Sequence, residues 1–130
     1  SARTTPWFLM SEDLPDPHNR VRVEDDKIVL EYTNNNEEPF QRLIGRWQQI
    51  LKSIEPVSLF FTTEMSLKDV GHQCGTCRFG EDPATSVLDL NCRTHDVDNL
   101  YVVDGGFFPS SAALNPTLTI IANAIRVGEH

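Results

Sequence analysis

One histidine, one aspartate and one asparagine, each set beside glycine or proline, are the residues of this sequence best placed to do chemistry. His72 lies in Gly71-His72-Gln73-Cys74-Gly75-Thr76-Cys77-Arg78-Phe79-Gly80. Gly71 and Gly75 let the backbone turn sharply on either side, and a neutral imidazole accepts a proton near physiological pH. The plainer reading is a structural histidine on a surface loop. Asp104 follows the apolar run Leu100-Tyr101-Val102-Val103 and precedes Gly105-Gly106. An acid there can bond a ligand's hydroxyls while the glycines admit close backbone approach, or it can bond its own turn. Asn115-Pro116-Thr117 opens an apolar helical stretch. The free N–H groups and dipole of a helix start favour an anion, although an ordinary N-cap also accounts for Asn115. Together the three supply a base, a hydroxyl-binding acid and an anion-binding helix end.

The cysteines admit other chemistry. His72, Cys74, Cys77 and Cys92 could surround a tetrahedral zinc, and Cys74-x-x-Cys77 could be a redox pair. The second ligand pair of most zinc modules is missing, and Gly75-Thr76 places the pair in a loop and not at a helix start. Incidental thiols are the simplest account, and a non-catalytic zinc-binding interaction module is the alternative class of function.

The elements that must position these residues follow from hydrophobic period. Residues 1–17 are rich in Pro, Asp, Glu and Ser and read as extended chain and turns. Val21 and Val23 alternate with charged residues, as do Ile28 and Leu30 around Val29 and Glu31; with Asp25-Asp26-Lys27 between them they read as a half-buried hairpin. Asn34-Asn35-Asn36 offers an N-cap and Glu37-Glu38 suits a positive helix start. Phe40, Leu43, Ile44, Trp47, Ile50, Leu51 and Ile54 then recur at helical steps, predicting an amphipathic helix over about 37–53, which Pro56 stops. Strands are expected over 57–62, 86–90 and 100–103, with an uncertain connection over 64–70. A last helix is expected over about 116–126, with Asn115 as N-cap and Pro116 in the first helical position. Its apolar residues run nearly all round, so it needs burial against a partner; in isolation its exposed face fits homo-oligomerisation or another chain. The fold class is α+β, a small antiparallel sheet covered by the amphipathic helix.

At 130 residues, 39% hydrophobic and 23% charged, the sequence fits one soluble globular unit. Its net charge of −8 disfavours nucleic acid as a partner. No apolar run approaches the ~20 residues of a membrane span. No signal-peptide pattern opens the sequence, and an odd three cysteines argue against a disulfide scaffold, so a cytoplasmic setting is expected.

The motifs taken together resemble the C-terminal part of the glucose–methanol–choline (GMC) family of FAD-dependent oxidoreductases. His72-x-x-Gly75-Thr76-x-Arg78-x-Gly80 with Asp82-Pro83 looks like the family's catalytic-histidine loop. Ser86-Val87-x-Asp89 and Arg93 fit the next stretch. Asn99-Leu100-Tyr101-Val102-Val103-Asp104 with Phe108-Pro109 resembles an FAD contact, and Asn115-Pro116-Thr117-Leu118-Thr119 resembles the start of the last helix. Upstream, Leu14-Pro15-Asp16-Pro17-x-Asn19-Arg20-Val21 is similar to the substrate-domain hairpin. The resemblance implies oxidation of a small-molecule alcohol to a carbonyl, with hydride passing to the flavin. It implies His72 as proton acceptor and Asn115 as donor to the substrate oxygen. Asp104 and Gly105 would contact the ribityl–pyrophosphate region, and Pro116 and Thr117 the flavin pyrimidine edge. About 1–70 would be substrate-domain elements; about 71–130 would be the active-site loop and a strand and helix belonging to the FAD-binding domain. Phe79 stands where many members have methionine, and Gly105-Gly106 varies the residues after the acid. The Gly-x-Gly-x-x-Gly nucleotide loop is not among these residues, so the segment is expected to work with an N-terminal FAD-binding portion and not to hold FAD tightly alone.

Overall fold

The computed structural model describes residues 4–66, 68–69 and 71–130. The remaining residues of the expected extended N-terminus and of the 64–70 connection lie outside the described residues. Strands β1 (Arg20–Glu24) and β2 (Lys27–Glu31) form an antiparallel hairpin, followed by helix α1 (Glu37–Ile54), a 3-10 turn (Gly105–Phe107) and helix α2 (Thr117–Gly128). The architecture is α+β.

The hairpin closes between Glu24 and Lys27, with Asp25 and Asp26 both left-handed at φ 48° and 58°; short polar side chains tolerate that region. Its two faces are sharply different. Arg20 and Arg22 each donate to Glu31 at 2.7 Å, and this pair of guanidiniums, Arg20 first, holds the Glu31 carboxyl below its ordinary range. On the other face Val21 stands opposite Leu30 and Val23 opposite Ile28. That face is uncovered: Val23 and Ile28 are 73% and 81% exposed. The expected arrangement, a sheet covered by the amphipathic helix, is therefore not what this chain forms.

Helix α1 turns its apolar stripe elsewhere. It buries Ile44 and half-buries Phe40, Leu43, Trp47 and Leu51. Trp47 meets Trp7 edge to face, ring centroids 5.0 Å apart. Glu37 and Glu38 occupy its first turn, where the dipole favours them. Asn36 holds the cap position but makes no capping bond. Its amide instead donates to the Glu12 carbonyl and Asp13 Oδ1, both at 3.1 Å. Asp13 in turn exchanges backbone hydrogen bonds with Ser111 at 2.9 and 3.0 Å. Segment 12–13 thus ties the start of α1 to the C-terminal half.

That half, residues 71–130, packs around Leu88, Cys92 and Phe107, with Cys77, Phe79, Val102, Val103, Phe108, Ile120 and Val127 against them. It is built from turns more than from ladders. Leu88 bridges Phe79 and Thr94, and Arg93 bridges Tyr101; the strands expected over 86–90 and 100–103 shrink to these isolated pairs. The strand expected over 57–62 is absent, and Phe61 is 91% exposed. A strand exists only where a neighbour completes its hydrogen bonds, and these segments have no long neighbour among the described residues. The whole chain exposes 10444 Å², against about 6900 Å² for a compact monomer of its mass.

Candidate active site

The His72 loop is held by the 3-10 turn. Gly75, Cys77 and Phe79 donate their N–H groups to the carbonyls of Gly105, Gly106 and Phe107 at 3.4, 3.0 and 3.1 Å. Loop residues advance by two for each turn residue, because one segment is extended and the other coiled. Gly105 is the joint. A Cβ added there would stand 2.9 Å from the Gln73 carbonyl oxygen and 3.6 Å from Ile120 Cδ1. The neighbour of His72, the residue after Asp104 and the first turn of α2 therefore meet at one glycine.

Each candidate residue has a definite setting. His72 is exposed and is itself left-handed, φ 65°, as is Gly75 at 82°; Gly71, expected to share the sharp turn, lies outside that region. The Cys74 thiol donates to the His72 carbonyl at 2.8 Å. Asp104 Oδ1 accepts from Gly106 N–H at 2.7 Å, the bond of its turn reading, and the residue is exposed. Asn115 is exposed. Pro116, not Asn115, occupies the cap of α2, since its carbonyl accepts the first helical bond, from Ile120 N–H at 3.0 Å. Thr117 is then the first helical residue. No side chain caps α2, and, unlike α1 with Glu37 and Glu38, it has no acid in its first turn. Three leading N–H groups, of Thr117, Leu118 and Thr119, have no partner within the helix.

Through Gly105 the peptide carbonyl after His72 and Ile120 of α2 approach each other, but no hydrogen bond joins His72 and Asn115. Neither is part of two shallow concavities, one beside Arg42 and Arg46 and one beside Phe107 and Arg126. His72, Cys74, Cys77 and Cys92 do not form a metal-holding cluster, and no group of three or more such ligands exists among the described residues. Cys92 is buried, and its sulfur accepts from the Asn123 amide at 3.2 Å.

Sequence reasoning missed what anchors α2. The turn 89–93 is organised by Asp89, whose Oδ1 accepts from the N–H groups of Asn91 and Arg93 at 2.8 and 3.1 Å. Burial pushes the Asp89 carboxyl up, but those N–H groups and the Arg93 guanidinium outweigh it and leave it below its ordinary range. Arg126 on α2 grips this turn, donating to the Leu90 carbonyl at 2.7 Å and to Asn91 Oδ1 at 3.3 Å. A cation in a helix's last turn was the available signal.

The sequence model of the GMC oxidoreductase family matches residues 15–124, within which every candidate residue falls. The chain belongs to this family. Among GMC-type and other curated relatives, the chain is 36% identical to 6'''-hydroxyparomomycin C oxidase of Streptomyces lividus over 123 residues, 88% of this chain and 22% of that protein. It is 62% identical to paromamine 6'-oxidase of Streptomyces fradiae over 55 residues, 42% of this chain and 10% of that one. It is 33% identical to 2-methyl-1,2-propanediol dehydrogenase of Mycolicibacterium austroafricanum over 133 aligned positions, 95% of this chain and 24% of that one. This GMC segment thus spans a quarter or less of the length of these relatives.

Proposed function

We propose that this chain builds the active-site half of an FAD-dependent GMC oxidoreductase that converts a CH–OH group to a carbonyl. The observation that supports the reading is the Gly105 joint, where the residue after Asp104 lies against the Gln73 carbonyl beside His72 and against Ile120 of α2. The residues fit an anionic flavin nucleotide. The start of α2 lacks both a capping side chain and an acid, so its N–H groups are available to an anion. Asp104 keeps one carboxylate oxygen for sugar or ribityl hydroxyls, and Gly105 lets the backbone come close. Bound FAD would supply the two-electron acceptor that alcohol oxidation requires.

The chain's own residues then have separate tasks. The His72 imidazole accepts the hydroxyl proton at a ring nitrogen. Asn115, which cannot act as a base, donates a carboxamide N–H to the substrate oxygen and orients it. Asp104 and Gly105 hold the cofactor's polar chain, and Pro116 and Thr117 aim the helix N–H groups. Residues 1–70 contribute to a substrate domain, and an N-terminal FAD-binding portion covers the apolar faces left open here; the excess exposed area supports that division.

The test uses the complete enzyme with a panel that begins with paromamine and 6'''-hydroxyparomomycin C, taken from the names of the relatives. His72→Ala should lower kcat by about 10²- to 10⁴-fold and Asn115→Ala by about 10²-fold, with flavin absorbance retained. Wild-type turnover in both variants would refute the assignment.

A further inference from the structure

We infer that Cys74 is a positioning residue for His72, acting through its thiol hydrogen; the inference rests on His72 being the proton acceptor. His72 carries a side chain in the left-handed region, φ 65°, where only glycine sits without steric cost. Something must hold it there. The backbone ladder to residues 105–107 begins at Gly75, three residues further along. Closer to His72, the Cys74 thiol donates to the His72 carbonyl at 2.8 Å. This side-chain bond back over two residues fixes the plane of the peptide that joins His72 to Gln73. The same peptide leads into the Gln73 carbonyl that rests against Gly105. The thiol therefore sets the direction in which the imidazole leaves the loop.

The three cysteines do three different things. Cys77 packs against the Leu88–Cys92–Phe107 core, and Cys92 is buried as an acceptor from Asn123. Cys74 alone faces the His72 backbone, half-buried at the loop. A thiol is a weak donor, so its work is to choose among loop conformations, not to hold the fold. Alanine at this position leaves the His72 carbonyl without its donor, whereas serine keeps a hydroxyl donor in nearly the same place.

The experiment compares C74A, C74S and H72A in the complete enzyme, by steady-state kinetics and by amide hydrogen exchange over residues 71–75. C74A should lower kcat about tenfold at unchanged KM, within the ~10²-fold that an ångström of misplacement costs, and should speed exchange in the loop. C74S should restore both. H72A with wild-type turnover removes the proton-acceptor reading and the inference with it. An inactive H72A beside a C74A that matches wild type in kcat and exchange overturns the inference alone. So does equal impairment of C74A and C74S, which would point to packing and not to donation. Should C74A not fold, methyl methanethiosulfonate on the folded wild type gives the same information: turnover should fall there and be unaffected in C74S, and no difference between the two overturns the inference.

Discussion

Replacing Gly105 by alanine should damage turnover more than its size suggests. The added methyl would lie 2.9 Å from the Gln73 carbonyl oxygen, whereas ordinary contact begins at 3.4 Å. About 0.5 Å must be found, and the obstacle is backbone, so the loop itself has to retreat. That loop carries His72 one residue away. Overpacking of this kind costs about 1–3 kcal/mol of stability. If a full ångström of misplacement costs ~10²-fold in rate, half of one corresponds to about tenfold, or ~1.4 kcal/mol in the barrier. Steady-state kcat on the complete enzyme, with flavin absorbance to confirm loading and a thermal melt to register stability, reads both effects. Gly45→Ala is the control: a Cβ there meets nothing within 4 Å, so it should leave kcat alone and stabilise α1 by about 0.5–1 kcal/mol. A Gly105→Ala enzyme with wild-type kcat and melting temperature would refute the idea that this glycine joins the loop to the turn.

Three further outcomes follow from particular contacts. Asp89 has a depressed carboxyl, so its contribution is fully present above the ordinary Asp value of about 3.9 and is lost as pH falls through the lower folded value; melts between about pH 6 and pH 3 should show an acid-limb loss that Asp89→Asn flattens. Arg126→Ala should lower stability by about 1 kcal/mol through its bonds to Leu90 and Asn91, measured by denaturant unfolding. Thr117→Asp should raise stability by about 0.3–1 kcal/mol by complementing the start of α2, yet weaken flavin retention on dialysis by placing like charge beside an anion. A gain or no change in retention would count against the helix start as an anion site.

The hairpin and α1 were legible because their signals are local. Alternation at Val21, Val23, Ile28 and Leu30 places the strands, and three- and four-residue steps from Phe40 to Ile54 place the helix, within a residue of its observed end. What covers them was not legible, since α1 bears on Trp7 and not on the hairpin. Residues 57–62 have strand composition but no strand to pair with among the described residues. Residues 71–113 defeat periodicity altogether, because their backbone bonds run through turns set by single side chains such as Asp82 and Asp89. For that region the motifs around His72, Asp104 and Asn115 were informative where period was not. They carried the expectation of a site there, while the Gly105 contact, the Cys74 thiol and the Arg126 grip needed coordinates. Asn36 shows a related limit: a good capping residue is also a good tether, and tertiary demand decided which.

Both tryptophans of the sequence, Trp7 and Trp47, sit together in the N-terminal half. Indole emission is accordingly a gauge of the seam between the leading segment and α1, and it is blind to the His72 loop. Following heat or denaturant by fluorescence and by a probe attached near residue 92 would time the two regions independently, and any gap between the curves would expose a partly melted species in which one region outlives the other.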